Sequence, residues 1–594
     1  MCGIFGVFSL DDSIDFNKFD QDAILNKLYS RGPDNQTFIK VDDHCALAHT
    51  RLSILDLANA SNQPVTNTDK SIWVVFNGEI YNYKALKKLT PSYSYKTRGD
   101  TEVILALYEK FGEKFISKLR GMFSILIYDK RHNLILSIRD RFGIKPLYYY
   151  HNNSSIYYSS RIDVLVDLIG SSEFNKKTLF DYFNYGQLYE SENTFFEGVH
   201  QQLPATLMSF SDAGLKKRTY WDSTSLSNTI SYSNYSELLD YVDESLAESI
   251  NHHMVSDVEV AVNLSSGLDS NYLRMYMASK AKENHLTKCF SFCFDRNEYN
   301  ECLDFDALNQ DKFNIFKTRI TPSNILNALE DTIKATEGPV GGMGTIAFWL
   351  NMRDASNEGI KVILSGQGAD ELFAGYKYYI NVSKKQSLAK EVMASDGTKL
   401  SSVGYLNMDY FFGVSESREV NHLYYDSTLK NARHTDLVIR KIPKLLMWQD
   451  KLSMAHSVET RVPFIDHVLF ESLFHIPEKF LIKGKSTKII LRDVARRYAM
   501  AEQDFKYLET NKKYMPTPQR EWFKSDFFDY TMNLIEESVL HDVGMIDKVK
   551  LKNQYQKYAN NQGADNSYFI WKFINIYSAP TNQDNNLKFL ISNE

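Results

Sequence analysis

The 594-residue chain has few cysteines and no strong excess of either charge. Its cysteines are odd in number and widely spaced, which implies no disulfide framework; they are Cys2, Cys45, Cys289, Cys293 and Cys302. We interpret the last three as buried structural cysteines rather than a metal cluster, because Cys289 and Cys293 share a face of one apolar strand. A net charge of −6 argues against a general nucleic-acid or anionic-membrane binder.

Long apolar segments are also missing. No apolar run reaches the ~18 residues of a membrane span. The N-terminus has no positive region and meets Asp11 and Asp12 early, so no signal peptide is expected. These absences predict a cytoplasmic protein. Hydrophobic residues make up 43% of the chain, enough for more than one core, and the length predicts two to four domains at ~150 residues each.

The first 200 residues alternate short apolar strands with polar turns. Strands are predicted at Ser71–Phe76, Phe123–Tyr128, Leu134–Ile138, Leu147–Tyr150 and Ile156–Tyr158, and helices at Asp20–Tyr29 and Thr101–Phe111. This mixture predicts an α+β, layered sandwich domain. The polar, aperiodic stretch that follows predicts a linker over residues 206–235.

After the linker, strands, loops and helices alternate in a pattern typical of a parallel α/β sheet. The predicted strands are Val258–Leu264, Thr287–Phe294 and Ile360–Leu364, and the predicted helices are Asn271–Lys282, Asn324–Ala335 and Ile346–Ala355. The first and third strands end in the loops SSGLDS and SGQGADE. Ligands bind at the carboxyl ends of such strands, so these loops predict a binding site. From about residue 377 the chain is predicted to be mostly helical.

Cys2 is a candidate nucleophile. If Met1 is removed, the α-amine of Cys2, with a pKa of ~7.7–8.0, can serve as base for its own thiol. Arg51 could clamp a carboxylate, Asn77 and Gly78 could form an oxyanion hole, and Glu79 and Asp100 could hold an ammonium group. Together these groups describe a site for glutamine.

The order and spacing of these motifs resemble the class II glutamine amidotransferase domain over residues 1–205. The matching segments are MCGIFG, RGPD, HTRLSI, NGEIYNY, GDTEV, LRGMFS and RDRFGIKPLYYY. The resemblance implies that Cys2 attacks the glutamine amide, and that Arg51, Asn77, Gly78, Glu79 and Asp100 hold glutamine or the oxyanion. Arg161 stands where the family usually carries Glu. Arg31, Asp140, Arg141 and Lys145 are read either as functional groups or as salt-bridged scaffold at the domain junction, and the sequence does not choose between the two.

The loop Leu264–Ser270 follows a strand and precedes a helix, where backbone N–H groups can cradle an anion. Asp269 would repel bare phosphate, so it argues for a bridging Mg²⁺. The loop resembles the pyrophosphate loop of ATP pyrophosphatases, and no Walker-A sequence occurs. Ser266 stands where Gly is usual, which matters only if that position needs a positive φ or close phosphate contact.

The second loop resembles the asparagine synthetase motif SG(D/E)GxDE(L/V)FGGY. By that resemblance, Ser365 and Gly366 contact the nucleotide and Asp370 is a second Mg²⁺ ligand. Gln367 departs from the family, which carries Glu or Asp there, and a neutral amide cannot act as a base. The loop resemblance also places Leu264, Ser265, Ser266, Gly267 and Ser270 in the ATP site. Asn263 and Phe292, at strand ends where the family contacts adenine, are weaker assignments.

A third block, residues 450–467, resembles the family's DRxSMAHSxExRxPFLDH segment, with Lys451 in place of Arg. His456 is read as a packing residue rather than a catalyst. The family's lysine at the position of Lys488 stabilises phosphate charge during adenylation. In outline, the resemblance implies a glutaminase domain at 1–205, a linker at 206–235, a synthetase domain at 236–525 and a helical tail at 526–594.

Both halves together resemble glutamine-hydrolysing asparagine synthetase. The resemblance implies an ATP- and Mg²⁺-dependent amide ligase that is often a homodimer, with no nucleic-acid or membrane partner. Aspartate is the first expected acceptor. A sugar acid or other small carboxylate is the alternative, because Ser266, Gln367 and the unusual segment Gly338–Gly344 all lie on the synthetase side. A regulatory or binding homologue without synthesis is the hypothesis from another class.

Overall fold

The structure is a computed structural model that describes most of the chain. The described residues are 2–11, 19–171, 173–225, 230–281, 286–300, 302, 305, 308, 312–385, 403–414, 423–509, 517–562 and 566–577. Met1, Asp12, part of the predicted linker and the tail beyond residue 577 lie outside the described residues. Within the described ranges, no helix combines the length and the apolar character that crossing a membrane requires.

Two six-stranded antiparallel sheets form the N-terminal domain. Their strands are β1 Cys2–Ser9, β2 Asn35–Lys40, β3 Cys45–Arg51, β4 Val65–Thr66, β5 Ile72–Ile80, β6 Gly121–Asp129, β7 Leu134–Arg139, β8 Tyr148–His151, β9 Ser155–Ser159, β10 His200–Gln201, β11 Thr206–Ser211 and β12 Gly214–Thr219. One sheet has the order β10-β8-β9-β1-β3-β2, and the other has the order β12-β11-β7-β6-β5-β4.

Helices cover the outer faces of these two sheets. They are α1 Gln21–Leu28, α2 Tyr83–Lys87, α3 Thr101–Phe111, α4 Ile162–Ile169 and α5 Lys176–Tyr185. Alternation along β1 explains the layers, because Ile4 and Phe8 pack between the sheets whereas Phe5 and Val7 pack under α1 and α4. The predicted layered sandwich is confirmed as an αββα arrangement.

The predicted linker differs from the structure over its first half. Residues 206–219 form the hairpin β11–β12, and β11 pairs with β7, so this segment extends the second sheet. Met208 and Phe210 are buried between the sheets, although their polar neighbours made the segment look like a linker. The N-terminal domain therefore extends beyond residue 205.

A five-stranded parallel sheet forms the centre of the second domain, with the order β15-β14-β13-β16-β17. Its strands are β13 Val260–Asn263, β14 Thr287–Phe294, β15 Phe313–Ile320, β16 Val362–Leu364 and β17 Glu459–Arg461; a separate small hairpin pairs β18 Ile482–Lys483 with β19 Ser486–Thr487. Apolar side chains from both faces are buried, with Val262 packing on one side and Ala261 and Ile363 on the other. The predicted parallel α/β sheet is confirmed.

Helices surround this sheet and make up most of the rest of the described second domain. They are α6 Tyr235–His253, α7 Leu268–Lys280, α8 Pro322–Thr336, α9 Met343–Asn357, α10 Ala369–Leu372, α11 Lys377–Lys385, α12 Thr428–His434, α13 Lys441–Met454, α14 His467–Leu473, α15 Ile489–Arg496, α16 Glu502–Glu509, α17 Gln519–Lys524, α18 Phe528–Glu536, α19 Val539–Asp542, α20 Lys548–Ala559 and α21 Tyr568–Tyr577. Helix α21 contacts both domains, since Trp571 donates to Val340 O (3.0 Å) and Lys572 to Phe183 O (2.9 Å).

The expectation for the cysteines is wrong at one pair. Cys293 and Cys302 are joined by a disulfide, with Cα atoms 5.6 Å apart. Cys293 is near the end of β14, and the chain after this strand returns Cys302 to it, a proximity that a spacing of nine residues does not reveal. Cys289 is a buried free thiol, as expected, and Cys45 is another.

Candidate active sites

The first site is built around Cys2 at the start of β1. In the pairing of β1 with β3, Cys2 lies opposite Arg51. The Cys2 N–H donates to Asn77 Oδ1 (3.1 Å), and Arg31 Nε donates to Cys2 O (3.1 Å). Burial raises the pKa of the Cys2 thiol. A base is therefore needed to activate it, a requirement that the α-amine of a processed N-terminus would meet.

Asn77 and Gly78 lie beside Cys2 on β5, where the sequence placed an oxyanion hole. Asn77 is fully buried, and its Nδ2 has no hydrogen-bond partner among the described residues. A buried amide without a partner is costly, so this group is suited to a ligand oxygen. Gly78 has φ +149°, and a Cβ there would lie 2.0 Å from Met122 O, so only glycine fits the close strand packing.

Glu79 and Asp100 bring two buried carboxyl groups to the same cavity. Burial is the largest cause that raises the pKa of Glu79, followed by the nearby Glu459, and burial also raises the pKa of Asp100 to about 6. Asp100 Oδ2 accepts the Ile80 N–H (2.8 Å). An ammonium group bound here would favour the charged forms of both carboxyl groups.

Arg51 reaches the same cavity, but its guanidinium is already engaged. Its Nη1 donates to Ala58 O (2.9 Å) and Asn62 Oδ1 (2.8 Å), and its Nη2 donates to the carbonyls of Leu55 and Asp56. The cavity has a volume of about 30 Å³. Of the five predicted glutamine-site residues, Arg51, Gly78, Glu79 and Asp100 line it together with Cys2. The fifth, Asn77, accepts the Cys2 N–H beside it.

The second site is a larger cavity of about 330 Å³ at the carboxyl end of the parallel sheet. Of the predicted ATP-site residues, eight line it: Asn263, Ser265, Asp269, Ser270, Phe292, Ser365, Gly366 and Gln367. Asp370, the predicted second metal ligand, lines it as well. Within the described chain, Leu264, Ser266 and Gly267 belong to the same loop without lining the cavity. This position at the strand ends agrees with the rule for open α/β sheets.

Asp269 and Asp370, which line this cavity, form one buried charged group with Lys488. Lys488 Nζ lies 2.7 and 2.6 Å from the two carboxylate oxygens of Asp269 and 2.6 Å from Asp370 Oδ1. Gly375 permits the approach, since a Cβ there would lie 1.9 Å from Asp370 Oδ1 and 2.1 Å from Lys488 Cε. Residues far apart in the sequence are therefore brought together, as predicted.

These residues fit an Mg²⁺ ion shared with a nucleotide. Asp269 and Asp370 converge on one cation already, the ammonium of Lys488. Mg²⁺ in such sites is commonly held by one or two carboxylates together with substrate phosphates. The described residues include no cluster of three or more His, Cys, Asp or Glu suited to a metal, so the pair fits a phosphate-shared ion rather than an all-protein site.

The two departures from the expected motifs occupy different environments. Ser266 is not among the described non-glycine residues with positive φ, so its Cβ costs little backbone energy. Gln367 lines the cavity beside Asp370, so its neutral amide changes the charge at the site itself.

Helix α13 and the start of α9 supply cavity residues that the sequence analysis missed. Leu445, Trp448, Gln449 and Leu452 line the cavity from α13, and Gly344, Thr345 and Phe348 line it from α9. The α13 set has helical i, i+3, i+4, i+7 spacing, a signal that could have identified this face. Trp448 Nε1 donates to Pro339 O (2.8 Å), which ties α13 to the segment Gly338–Gly344.

Charged side chains link the two domains between the sites. Arg31 Nη1 and Lys145 Nζ reach the same carboxylate, Asp450 of α13, at 2.9 and 3.4 Å. The scaffold interpretation of Arg31 and Lys145 is thus confirmed, while Asp140 accepts backbone N–H bonds within its own turn and Arg141 Nη1 donates to Leu119 O.

The two unusual residues Arg161 and Lys451 meet at one partner. Arg161 Nε lies 3.7 Å from Glu337 Oε1, and Lys451 Nζ lies 2.8 Å from Glu337 Oε2. Arg161 also pairs with Asp163 (2.6 Å). A cation at position 161 is therefore explained by the acidic partner that the second domain offers. His456 packs edge-on against Trp349 with ring centroids 4.3 Å apart, consistent with a packing role.

Two features are typical of a two-domain glutamine amidotransferase. One is a buried cysteine beside an amide donor, and the other is a separate cavity suited to a nucleotide. Comparison with protein-family models agrees: a glutamine amidotransferase domain model matches residues 1–221 and an asparagine synthase model matches residues 241–579. The chain belongs to the asparagine synthase family, a family of glutamine-hydrolysing enzymes that form carbon–nitrogen bonds.

Curated relatives match along most of the chain. Asparagine synthetase [glutamine-hydrolyzing] 1 of Bacillus subtilis (strain 168) is 29% identical over 97% of this chain and 95% of its own length. Asparagine synthetase [glutamine-hydrolyzing] 2 of the same organism is 30% identical over 80% and 67%. A Penicillium rubens protein named amidase chyE is 26% identical over 88% of each chain.

Among solved structures, the Bacillus subtilis glutamine phosphoribosylpyrophosphate amidotransferase matches 44% of this chain and 60% of its own. Its sequence identity is 15% and its TM-score is 0.28, so the assignment rests on the family models instead.

Proposed function

We propose that the protein converts a small carboxylate into a primary amide, using glutamine as nitrogen donor and ATP for activation. The observation that carries the proposal is the convergence of Asp269, Asp370 and Lys488 in a cavity at the end of the parallel sheet, in a chain that also has Cys2 beside Asn77. The first group suits a nucleotide triphosphate and the second suits an amide substrate.

In the first reaction, the Cys2 thiolate attacks the side-chain amide carbon of glutamine. The α-amine of Cys2 takes the thiol proton and returns it to the leaving nitrogen, so ammonia departs and a glutamyl thioester remains. Asn77 Nδ2 and the Gly78 N–H donate to the oxyanion, while Arg51, Glu79 and Asp100 orient the amino-acid end. Water then hydrolyses the thioester to glutamate and restores the thiol.

In the second reaction, a carboxylate oxygen of the acceptor attacks the α-phosphorus of ATP. The bond to the bridging oxygen breaks, so pyrophosphate leaves and an acyl-adenylate forms. Lys488 stabilises charge on the phosphates, and the loops at Ser265–Ser270 and Ser365–Gly366 position the nucleotide. Asp269 and Asp370 would hold Mg²⁺, which when bound supplies further neutralisation of the triphosphate.

In the third step, ammonia attacks the acyl carbon, AMP leaves and one proton is released, which gives the amide. Free ammonia would be protonated in bulk water at neutral pH, so we propose that it crosses inside the protein. The apolar contact of Leu52 and Ile54 with Val362 and Met454 supports this route, because Leu52 and Ile54 also line the glutamine cavity.

Aspartate is the first acceptor we propose. It is the acceptor expected from the sequence, and the names of the Bacillus subtilis relatives support it. The product would be asparagine, formed by amidation of the β-carboxylate.

A sugar acid or another small carboxylate is the second candidate, and one observation favours it. The described walls of the large cavity beyond the nucleotide loops are neutral, with Thr345, Trp448 and Gln449 among them, and include no Lys or Arg. Gln449 is buried, and its Oε1 has no hydrogen-bond partner in the described structure. A hydroxyl group of a sugar acid could donate to it.

A non-synthesising binding homologue is the third reading. The contact of Lys488 with Asp269 and Asp370, at a cavity that these carboxylates line, supports an active synthetase instead. A cytoplasmic location, where ATP and glutamine are available, and a homodimer complete the proposal.

The test uses processed protein with amide-¹⁵N glutamine, Mg-ATP and aspartate, with products read by mass spectrometry. Labelled asparagine with equal AMP and pyrophosphate is the expected result for the first acceptor. Glutamate and ammonia without AMP would contradict aspartate, and the same assay with hexuronic acids would then test the second candidate. Absence of AMP with both acceptor classes would overturn the ligase proposal.

A further inference from the structure

Arg461 is the last residue of β17, at the edge of the parallel sheet that faces the N-terminal domain. Its side chain is fully buried. Its carbonyl oxygen accepts the N–H of Ser365 (2.8 Å), the first residue of the loop SGQGADE. The backbone of Arg461 thus holds the start of a loop that lines the ATP cavity.

The side chain of Arg461 points the opposite way, to the glutamine site. Its Nη2 lies 3.4 Å from Glu79 Oε1, and its Nε donates to Glu459 Oε1 at 2.5 Å. Its Nη1 donates to the carbonyls of His253 (2.8 Å) and Val255 (2.7 Å). The guanidinium of Arg461 therefore contacts two carboxylates: Glu459 closely, in its own domain, and Glu79 at a longer distance, in the candidate glutamine site.

Glu79 has unused bonding capacity toward its cavity. Its Oε2 is buried and accepts no hydrogen bond from the described residues, and its side chain lines the cavity that contains Cys2. An ammonium group of glutamine placed at this carboxylate would compete with Arg461 for the same negative charge. At low dielectric, such competition between charges within a few ångströms is strong.

Resting on the proposed function, we infer that Arg461 is a positioning residue that couples glutamine binding at Glu79 to the conformation of the ATP loop at Ser365. The link is short, because one residue contacts Glu79 through its guanidinium and Ser365 through its carbonyl. Strand β17 transmits the change, since Arg461 also pairs in register with Leu364 of β16. The ion pair of Arg31 with Asp450 is a separate contact between the two domains.

The first test compares Arg461→Lys with Arg497→Lys, a matched change at a half-exposed arginine that pairs with Asp240 and Asp243. The first measured quantity is the ratio of glutamate formed to AMP formed at saturating glutamine. The second is the rate of AMP formation when ammonia replaces glutamine. In Arg461→Lys the ratio should rise by about threefold or more, while ammonia-dependent AMP formation stays within about threefold of the parent. Arg497→Lys should change neither.

An unchanged ratio in a folded Arg461→Lys protein would overturn the inference. A parallel fall of both activities would do the same, because it would indicate a purely structural role. If the parent protein makes no AMP at all, the proposed function fails rather than the coupling.

The second test avoids substitution of Arg461. In Cys2→Ala protein, which can hold glutamine without consuming it, amide hydrogen exchange is followed for the segment Leu364–Gly368 without ATP. Glutamine should slow exchange at the Ser365 amide by about threefold or more. Exchange that does not respond to glutamine, although glutamine protects β5 around Glu79, would contradict the coupling.

Discussion

The two cavities of this enzyme differ in how closely they follow the pattern expected from sequence. The candidate glutamine cavity is lined by Cys2 and four of the five expected residues, with Asn77 bonded to Cys2, and its volume is about 30 Å³. The candidate nucleotide cavity is about ten times larger at 330 Å³ and contains Gln367, a departure from the family motif. The cavity at Cys2 is thus small and follows the expected pattern, whereas the cavity at the end of the parallel sheet is larger and departs from it. The comparison indicates where a change of substrate can occur: at the acceptor walls, without any change to the glutamine site.

The strongest way to break this comparison is to remove the thiol. Cys2→Ala should lower glutamine-dependent amide formation by at least about a thousandfold, because no other group forms the thioester. Ammonia-dependent synthesis should persist, and both are measured as AMP and amide product. Cys45→Ala, at a buried thiol outside both cavities, is the control. Loss of ammonia-dependent synthesis in a folded Cys2→Ala protein would mean that the sites are not separable.

The reciprocal change acts on the nucleotide cavity. Asp269→Ala should reduce acceptor-dependent pyrophosphate release by about a hundredfold or more, because Lys488 loses a charge partner and the proposed Mg²⁺ loses a ligand. Glutamate formation from glutamine should continue. Asp269→Asn serves as the matched isosteric variant and should lose pyrophosphate release as well. Undiminished pyrophosphate release would contradict the adenylation assignment.

The pH dependence of the glutamine site sharpens the comparison further. Burial raises the pKa of Asp100 to about 6, so the carboxylate that would bind the ammonium is lost as pH falls through that value. Because the α-amine of Cys2 must also be deprotonated, kcat/KM for glutamine should fall about tenfold per pH unit below 7.5 and about a hundredfold per unit below 6. The rate of acceptor-dependent ATP–pyrophosphate exchange should not show this steeper fall below pH 6. Asp100→Asn should remove that steeper fall, and its persistence would point to another group.

The smallest expected effect concerns Gln367. Gln367→Glu adds a carboxylate beside Asp370 and should raise the KM for ATP about fivefold at limiting Mg²⁺, as expected for roughly 1 kcal/mol of added repulsion. Glutaminase activity without ATP should not change. A lowered KM for ATP would contradict this expectation, because it would show that a carboxylate at position 367 favours ATP binding more than the native amide does.

The local sequence pattern was sufficient to predict the elements whose apolar residues follow a regular helical or strand pattern. The helix Thr101–Phe111 was predicted with the observed bounds, because its apolar residues recur at helical spacing and Gly112 ends it. Strand Thr287–Phe294 was also predicted with its observed bounds, since it is a continuous apolar run. The hairpin β11–β12 was missed because polar residues interrupt the apolar ones. Leu207, Met208 and Phe210 of β11 are buried, whereas most of β12 is polar and exposed.

Pairings between distant residues could not be read from the chain. The motifs predicted that Asp269 and Asp370 share a metal and that Lys488 acts on phosphate, but the contact of Lys488 with both carboxylates within 2.7 Å depends on how the loops after β13 and β16 and the start of α15 converge. The same holds for Cys293 with Cys302 and for Glu337 with Arg161 and Lys451. Each pairing depends on the path of the chain between its members, which local periodicity does not encode.

By itself, the sequence determined the two-domain organisation, the layered and parallel-sheet fold classes and the residue types of both candidate sites, because periodicity and short motifs are local properties of the chain. The tertiary structure alone decided that the cavity at Cys2 is small, that α13 lines the larger cavity and that Arg461 contacts both Glu79 and the loop at Ser365. The physical reason is that cavity size and buried ion pairs arise where separate elements pack together, and their geometry depends on every element that takes part.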